Sequence, residues 1–154
     1  MSSTDPAGFR FRDYQAGDFH RLCELDRICF PEGVSYTPQE IALALLQPGS
    51  FALVAERRGR LVAFVLAAHA RRGLGHLVTI DVEPEFRRRK IGERLMELAE
   101  QRLKQDGAIR LVLEVAVHNE SARAFYSRRG FAFRRLLPRY YRDGSDAWLM
   151  EKAL

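Results

Sequence analysis

The chain has 154 residues and a formal net charge of +5, with 47% hydrophobic and 29% charged residues. This composition is typical of a globular protein and excludes a largely disordered, collagen-like or disulfide-stapled chain. No apolar run approaches the roughly 20 residues that span a bilayer. Residues 1–8 lack the basic and apolar regions of a secretory signal. A single domain in the cytoplasm is therefore expected.

In chain order, residues 1–8 are expected to form a flexible leader and residues 9–154 one domain. Apolar periodicity, turn residues and helix caps predict strand 9–12, helices 19–30 and 38–47, strands 51–57, 61–69 and 76–82, helix 91–105, strand 109–117, helix 120–130, and strands 131–135 and 147–152. This order predicts an α/β (α+β) domain, in which one mixed central β-sheet carries helices on both faces.

Helix starts are marked by capping residues. Asp18 is expected to cap the first helix, and Asn119 the last. Thr37 precedes a proline and stands three residues before Glu40, which predicts a capping box. Cys23 and Cys29 match no metal motif and cannot close a disulfide along one helix, so reduced thiols packed in the core are expected.

Arginine dominates the basic residues: only three of the 25 are lysine. Because arginine favours planar, bidentate contact with phosphate, an acidic partner fits this composition. That partner would be a phosphorylated cofactor, a nucleic acid or an acidic peptide. A genome-wide bias towards arginine explains the same composition, so composition alone does not choose among these.

The strongest local signal lies between the predicted strand 76–82 and the predicted helix 91–105. The connecting turn carries Arg87, Arg88, Arg89 and Lys90, and Gly92 follows at the start of the helix. A helix N-terminus has unpaired N–H groups and a partial positive charge, and glycine lets backbone approach a ligand closely. The residues favour a pyrophosphate site. A solvated basic turn and a nucleic-acid arm are the alternatives, and the Walker pattern is absent.

Three other residues are candidates for chemistry. Glu114 interrupts an otherwise apolar strand, and a buried carboxylate is costly unless it is paired. A structural ion pair with arginine and a general base lining a cleft are both consistent with it. Asn119 caps a helix without needing a function, and Tyr126 fits a core aromatic whose hydroxyl reaches the rim.

Several segments together carry a resemblance to a known family. They are 82–92, 119–131, Cys29-Phe30-Pro31, Leu113-Glu114-Val115 and the segment Tyr140–Ala147. Over nearly its whole length the chain resembles the GNAT superfamily of acetyl-CoA-dependent N-acetyltransferases. Within that superfamily it is most similar to RimI-like (ribosomal-protein alanine) and related protein N-terminal acetyltransferases. It departs from the pyrophosphate-loop pattern at Lys90, where the family usually has a glycine. A positive φ there would strain a lysine.

The resemblance implies a fold and a reaction. The fold is the GNAT-like acyl-CoA N-acyltransferase fold, and the reaction transfers acetyl from acetyl-CoA directly to an amine, without a metal or an acyl-enzyme. Glu114 would be the base, acting through water, and Tyr126 the acid near the CoA sulfur. The residues implied to bind acetyl-CoA are Ile80, Val82, Arg87, Arg88, Arg89, Lys90, Ile91, Gly92, Glu93, Asn119 and Tyr126.

On the acceptor side, the resemblance implies Tyr36, Glu114, Tyr140 and Tyr141. The acceptor would be a protein N-terminus or peptide, such as a ribosomal protein, bound by a monomer or weak dimer without contact to nucleic acid or membrane. A peptide α-amine has a pKa of about 7.7–8.0 and a lysine amine about 10.4, so one carboxylate base suits the former better. A small-molecule acetyltransferase acting on an aminoglycoside or polyamine, and a non-catalytic acetyl-CoA-binding regulator, are the alternatives.

Overall fold

A computed structural model describes residues 2–154, which form eight strands and four α-helices. The elements are β1 (Ser2–Thr4), β2 (Arg10–Asp13), α1 (Phe19–Cys29), α2 (Pro38–Leu46), β3 (Ser50–Arg57), β4 (Arg60–Arg71), β5 (Leu74–Val82), α3 (Ile91–Gln105), β6 (Arg110–Ala116), α4 (Glu120–Arg128), β7 (Ala132–Leu137) and β8 (Ala147–Ala153). The predicted elements are confirmed, with ends displaced by a few residues. No helix among them combines the length and apolar character needed to cross a membrane.

The structure adds a strand, β1, inside the segment that was expected to be a flexible leader. It pairs antiparallel with β2, placing Ser2 opposite Arg12 and Thr4 opposite Arg10. A tight turn joins the two strands, in which the Asp5 carboxylate accepts the N–H of Phe9 at 2.8 Å. The pairing uses main-chain groups, so a polar segment without apolar alternation can form it and shows no sequence pattern for it.

All strands lie in one sheet of order β1-β2-β3-β4-β5-β6-β8-β7, which is antiparallel except between β5 and β6. In the described chain the parallel pairing is short and ends where His76 lies opposite Val112. A register shift in the β4–β5 ladder leaves Val78 as an extra residue just beyond that point. The two parallel strands therefore part towards their carboxyl ends, and the later part of β5 has no partner on its β6 side.

Helices cover both faces of the sheet, as predicted. One face carries α3, whose buried side chains are Ile91, Leu95, Met96, Leu98, Ala99 and Leu103. The other face carries α1, where Leu22 and Leu25 pack on Phe64 and Leu66 of β4. Each fully buried leucine contributes about 1.5–3 kcal/mol. Both cysteines are free thiols, Cys23 buried and Cys29 partly buried, as expected.

The helix caps follow the sequence in two of three cases. Thr37 Oγ1 accepts the N–H of Glu40 at 3.1 Å, and Glu40 accepts the N–H of Thr37 at 2.9 Å. Asn119 accepts the N–H of Ala122 at 3.3 Å. The expectation for Asp18 is wrong, because a short 3-10 turn precedes α1 and gives Asp18 helical dihedral angles. Its carboxylate instead binds Arg12 at 2.8 and 2.9 Å and accepts the main-chain N–H of Gln15, at the start of the 3-10 turn, at 2.8 Å. Both interactions lower the pKa of Asp18.

Candidate active site

Glu114 lies where β5 and β6 part, on the sheet face opposite the main core. Its Oε1 accepts two hydrogen bonds, from Nε2 of His76 at 2.8 Å and from the hydroxyl of Tyr140 at 3.2 Å. A carboxylate can only accept, so the imidazole donates through Nε2. The Glu114 side chain is 16% exposed. Among residues 2–154 the predicted base has no arginine partner, and it sits instead in a cluster built from β5, β6 and the β7–β8 connection.

His76 is a site residue that the sequence analysis missed. It is the last residue of β5 that pairs with β6, so its side chain lies beside that strand. A histidine at the start of an apolar strand gives no local signal of function. His76 lies beside Glu114 only because β5 and β6 are neighbours in the sheet, although α3 separates them in the sequence.

Three tyrosines that were predicted to bind the acceptor lie around this cluster. Tyr140 and Tyr141 pack edge to face with ring centroids 4.9 Å apart. The hydroxyl of Tyr36 donates to the Val78 carbonyl at 3.3 Å. Burial, with Glu114 nearby, raises the pKa of Tyr140 to about 12 and raises the pKa values of Tyr36 and Tyr141 above their ordinary range. All three phenols therefore stay protonated and can donate hydrogen bonds at neutral pH.

Two loops meet beside these tyrosines. The main-chain N–H of Arg142 donates to the Gly33 carbonyl at 3.0 Å, and its guanidinium binds the Ser35 carbonyl at 2.6 Å and Glu40 at 2.8 Å. Gly33 has a φ of +89°, and a Cβ there would lie 2.7 Å from the Cβ of Asp143. The segment after α1 and the β7–β8 connection are thus clamped together, which fixes Tyr36 and Tyr140 relative to one another.

The turn between β5 and α3 has the geometry of an anion site. No side chain of residues 2–154 caps α3, whereas α2 and α4 are both capped. Arg88 and Lys90 both have positive φ, +62° and +63°. Such alternating conformations turn successive N–H groups towards one concave surface. A Cβ added at Gly92 would make only ordinary contacts, 3.6 Å to the Val82 side chain, so no protein neighbour requires a glycine there.

The basic side chains of this turn do not all point the same way. Arg88 and Lys90 are exposed. Arg89 stacks over the ring of Phe86, with its guanidinium 5.4 Å from the centroid. Arg87 turns back instead, and its Nε donates to the Val82 carbonyl at 3.0 Å. That carbonyl also accepts from the thiol of Cys29 at 3.4 Å.

The remaining predicted donor-site residues differ in what they can offer a ligand. Ile91 is buried, and Ile80 and Val82 pack against the same core, so these residues offer mainly backbone. The oxygen of Asn119 is engaged in capping α4, which leaves its amide nitrogen. Glu93 is exposed in the first turn of α3.

Tyr126 lies on α4 and is 8% exposed. Its ring packs edge to face against Phe125 and Phe131, at 5.5 and 5.7 Å. Burial raises the pKa of Tyr126 above its ordinary value, and Asp81 and Tyr141 act in the same direction. The phenol is therefore a neutral proton donor held rigidly beside the last residues of β5.

Lys90→Gly is expected to leave the melting temperature unchanged or to raise it. A non-glycine residue in the left-handed region costs on the order of 1–3 kcal/mol, which outweighs the roughly 0.4–1 kcal/mol that glycine costs through the unfolded chain. Thermal unfolding measures the difference. Lys104→Gly, inside α3, is the matched control and should destabilise by about 1 kcal/mol. Equal losses in both variants would show that the Lys90 side chain itself stabilises the turn.

Comparison with known proteins identifies relatives over most of the chain. The sequence profile of the Acetyltransferase (GNAT) family matches residues 19–131. An uncharacterized N-acetyltransferase of Methanocaldococcus jannaschii is 36% identical over 146 residues, which are 92% of this chain and 89% of the relative. An N-alpha-acetyltransferase of Sulfurisphaera tokodaii is 29% identical over 95% of this chain and 93% of its own.

Solved structures share the fold at lower sequence identity. Ard1 from Thermoplasma volcanium superimposes with a TM-score of 0.88 at 23% identity, covering 96% of this chain and 98% of its own. The ribosomal-protein-S18-alanine N-acetyltransferase of Escherichia coli gives 0.81 at 22%, covering 94% and 93%. The PaiA N-acetyltransferase of Thermoplasma acidophilum, solved with coenzyme A, gives 0.78 at 22%, covering 95% and 99%. At these identities the likeness establishes the fold alone.

Proposed function

The chain belongs to the GNAT family of acetyltransferases and is an N-acetyltransferase, and we propose that it transfers acetyl from acetyl-CoA to the N-terminal α-amine of a protein. The observation that carries this proposal is the Glu114 cluster. It places a carboxylate at the mouth between β5 and β6, held by His76 on one side and by Tyr140 of the acceptor loop on the other. A base in that position faces both the donor strand and the incoming amine.

The donor side fits acetyl-CoA. The main chain of β5 beyond His76 lacks a β6 partner, so an extended, amide-containing pantetheine arm can pair with it as a strand would. The uncapped N-terminus of α3 and the nest at residues 87–92 would hold the pyrophosphate, with Arg88, Arg89 and Lys90 adding charge. A neighbour of the same fold, the PaiA N-acetyltransferase of Thermoplasma acidophilum, was solved with coenzyme A, which supports acetyl-CoA as the donor.

The reaction combines one direct transfer of the acetyl group with two proton transfers, one from the amine and one to the CoA thiolate. Glu114 takes the proton from the amine, through water, as the amine nitrogen attacks the thioester carbon. The main chain at Val82 polarises the thioester carbonyl. As the new C–N bond forms and the C–S bond breaks, Tyr126 gives its proton to the departing thiolate. The cluster thereby yields an acetylated amine and free CoA.

Two features favour an α-amine as acceptor. An α-amine loses its proton near neutrality, at a pKa of about 7.7–8.0, and a single carboxylate can serve it. The clamped loops hold the phenols of three tyrosines around Glu114. These phenols can bind the backbone of an extended N-terminal segment. Relatives named N-alpha-acetyltransferase point in the same direction. A ribosomal protein in the cytoplasm is the acceptor class that the neighbour acting on S18 suggests.

An acetylation assay over acceptor classes tests this function. Peptides with a free N-terminus are expected to be acetylated faster than the same peptides with a blocked N-terminus and internal lysines, because the lysine amine is protonated at neutral pH. Spermidine and an aminoglycoside are assayed in parallel, with CoA release as the readout. Faster turnover of a blocked peptide, polyamine or aminoglycoside would replace the N-terminal assignment. No CoA release with any amine would favour a non-catalytic acetyl-CoA-binding protein.

A further inference from the structure

Asp26 and Asp81 form a pair of buried acids that the mechanism above does not use. Asp26 lies on α1 and is 0% exposed, and Asp81 lies on β5 and is 1% exposed. Asp81 directly precedes Val82, whose main chain is placed at the thioester. Asp26 accepts the main-chain N–H of Tyr36, at 2.6 Å, from the acceptor loop. The pair therefore sits between the donor strand and the acceptor loop.

Within the described part of the chain, hydrogen bonds to neighbouring residues use one oxygen of each carboxyl group and leave the other oxygen without a partner. Asp26 uses Oδ2 for the Tyr36 N–H, and Asp81 uses Oδ1 for the hydroxyl of Thr79 at 2.6 Å. The other two oxygens, Asp26 Oδ1 and Asp81 Oδ2, have no donor elsewhere among residues 2–154. Each carboxyl group lies close enough to shift the pKa of the other, and these two oxygens are the atoms left to join them. Ionised carboxylates only accept, so this contact needs a proton on one of them.

Resting on the function proposed above, we propose that Asp26 and Asp81 are positioning residues that share one proton, and that this bond latches the Tyr36 loop to the strand that carries the thioester site. Because β5 is also held by its ladder with β4, where Asp81 lies opposite Phe64, breaking the bond leaves that strand in place. The Tyr36 segment lies between α1 and α2 and pairs with no strand, so beyond this bond it is held by the Tyr36 hydroxyl on Val78 and by Arg142. Loss of the latch therefore weakens acceptor binding first.

Burial favours one proton on the pair, because two ionised carboxylates would otherwise face each other there. Burial raises the pKa of Asp81 well above its ordinary value, and the neighbouring Asp26 raises it further. Burial raises the pKa of Asp26 too, but the bonds from Asp81 and from the Tyr36 N–H oppose that rise. The other charged or titratable groups around the pair are Cys23, Cys29, Tyr36, Glu40, Arg87 and Tyr126. Arg87 is the cation in this set, and its effect on the pKa of Asp81 is smaller than that of burial.

The first experiment detects the shared proton without using activity. Infrared spectra of the full chain in D₂O at neutral pH should contain the carbonyl band of a protonated carboxyl group. Asp81→Asn should remove that band, and the matched control Asp106→Asn, at an exposed aspartate, should retain it. A wild-type spectrum without the band, or a band that persists in Asp81→Asn, overturns the shared proton.

The second experiment tests positioning through a split between two Michaelis constants. Asp81→Ala removes the carboxyl group that shares the proton with Asp26. KM for a peptide should therefore rise about tenfold, while KM for acetyl-CoA and kcat stay within about threefold. Asp81→Asn keeps a donor, since its amide can bind Asp26, and should restore the wild-type KM. Equal KM values for peptide in wild type and Asp81→Ala would overturn the latch. If Asp81→Ala does not fold, the comparison of wild type with Asp81→Asn across pH serves instead.

The pH dependence follows from the proton. As pH rises through the raised pKa of Asp81, two carboxylates face each other and repel, so the peptide KM of the wild type should rise where the infrared band fades. The peptide KM of the wild type is divided by that of Asp81→Asn at each pH, which cancels the effect of the titration of the substrate amine. A fading band with an unchanged ratio would overturn positioning. A wild type that acetylates no peptide would refute the proposed function instead, and the infrared result would still decide on the pair.

Discussion

Glu114→Gln is expected to lower kcat for peptide acetylation by about 10²–10⁴, the usual contribution of a positioned general base. Glutamine keeps the shape of the side chain and can still accept hydrogen bonds from His76 and Tyr140, but it cannot take up the proton of the amine. KM for acetyl-CoA should stay within several-fold, because the donor is held by β5 and the turn before α3. Steady-state kinetics with both substrates varied separates the two effects.

The matched control for this variant is Glu151→Gln. Glu151 is a partly buried carboxylate on β8, the strand next to β6, and it pairs with Arg110 and Arg134 outside the site. Its replacement changes the charge by the same amount in the same sheet and should leave kcat within about twofold. If Glu114→Gln folds and keeps its kcat, another group is the base, and the role of Glu114 reduces to binding His76 and Tyr140.

The periodicity of apolar residues, together with turn and capping residues, was enough to predict the layered fold. Helix α3 was readable because its apolar residues recur at helical spacing until Gly107, and α2 because of the capping box at Thr37. Strand β1 was not predictable, since its pairing with β2 uses main-chain groups of polar residues. Asp18 does not cap α1, because its carboxylate binds Arg12 and the main-chain N–H of Gln15 in a 3-10 turn that the sequence pattern did not predict.

The site was predictable in part, and for local reasons. Glu114 stood out because a carboxylate on an apolar strand needs an explanation, and the basic turn because it joins a strand to a helix. His76 and the Asp26–Asp81 pair did not stand out, because each depends on which strands and helices become neighbours. Arg87 counted as one of four phosphate-facing cations, yet its side chain binds the end of its own strand. Residue type alone does not fix the direction of a long side chain.

The proposed site would treat its two substrates differently. Its donor side would consist largely of backbone, the open edge of β5 and the N–H groups of the turn, and these change little with sequence. The acceptor side consists of side chains on two loops that Arg142 holds together. Variation in acceptor preference among proteins of this fold is therefore expected to concentrate in those loops, while the donor stays the same.

Tyr126→Phe is the second variant with a large expected effect, a decrease in kcat of about 10²–10⁴ with KM for acetyl-CoA within several-fold. Phenylalanine keeps the edge-to-face contacts with Phe125 and Phe131 and removes only the hydroxyl that would protonate the CoA thiolate. Because the pKa of Tyr126 is raised, the phenol stays protonated from about pH 6 to about pH 9. The decrease should therefore have the same size across that range, measured as the ratio of kcat values.

Tyr14→Phe provides the matched control, since Tyr14 is also partly buried with a raised pKa but packs on the other core, beside α1. It should leave kcat within about twofold, which separates loss of the acid from loss of a buried hydroxyl in general. The way in which the kcat ratio of wild type to Tyr126→Phe varies with pH decides whether Tyr126 is the acid. A ratio that falls towards one as pH rises would mean that the Tyr126 hydroxyl loses its proton within the measured range. A kcat equal to that of Tyr14→Phe at every pH would mean that the thiolate leaves without a proton from Tyr126, and water at the mouth between β5 and β6 would then be the acid.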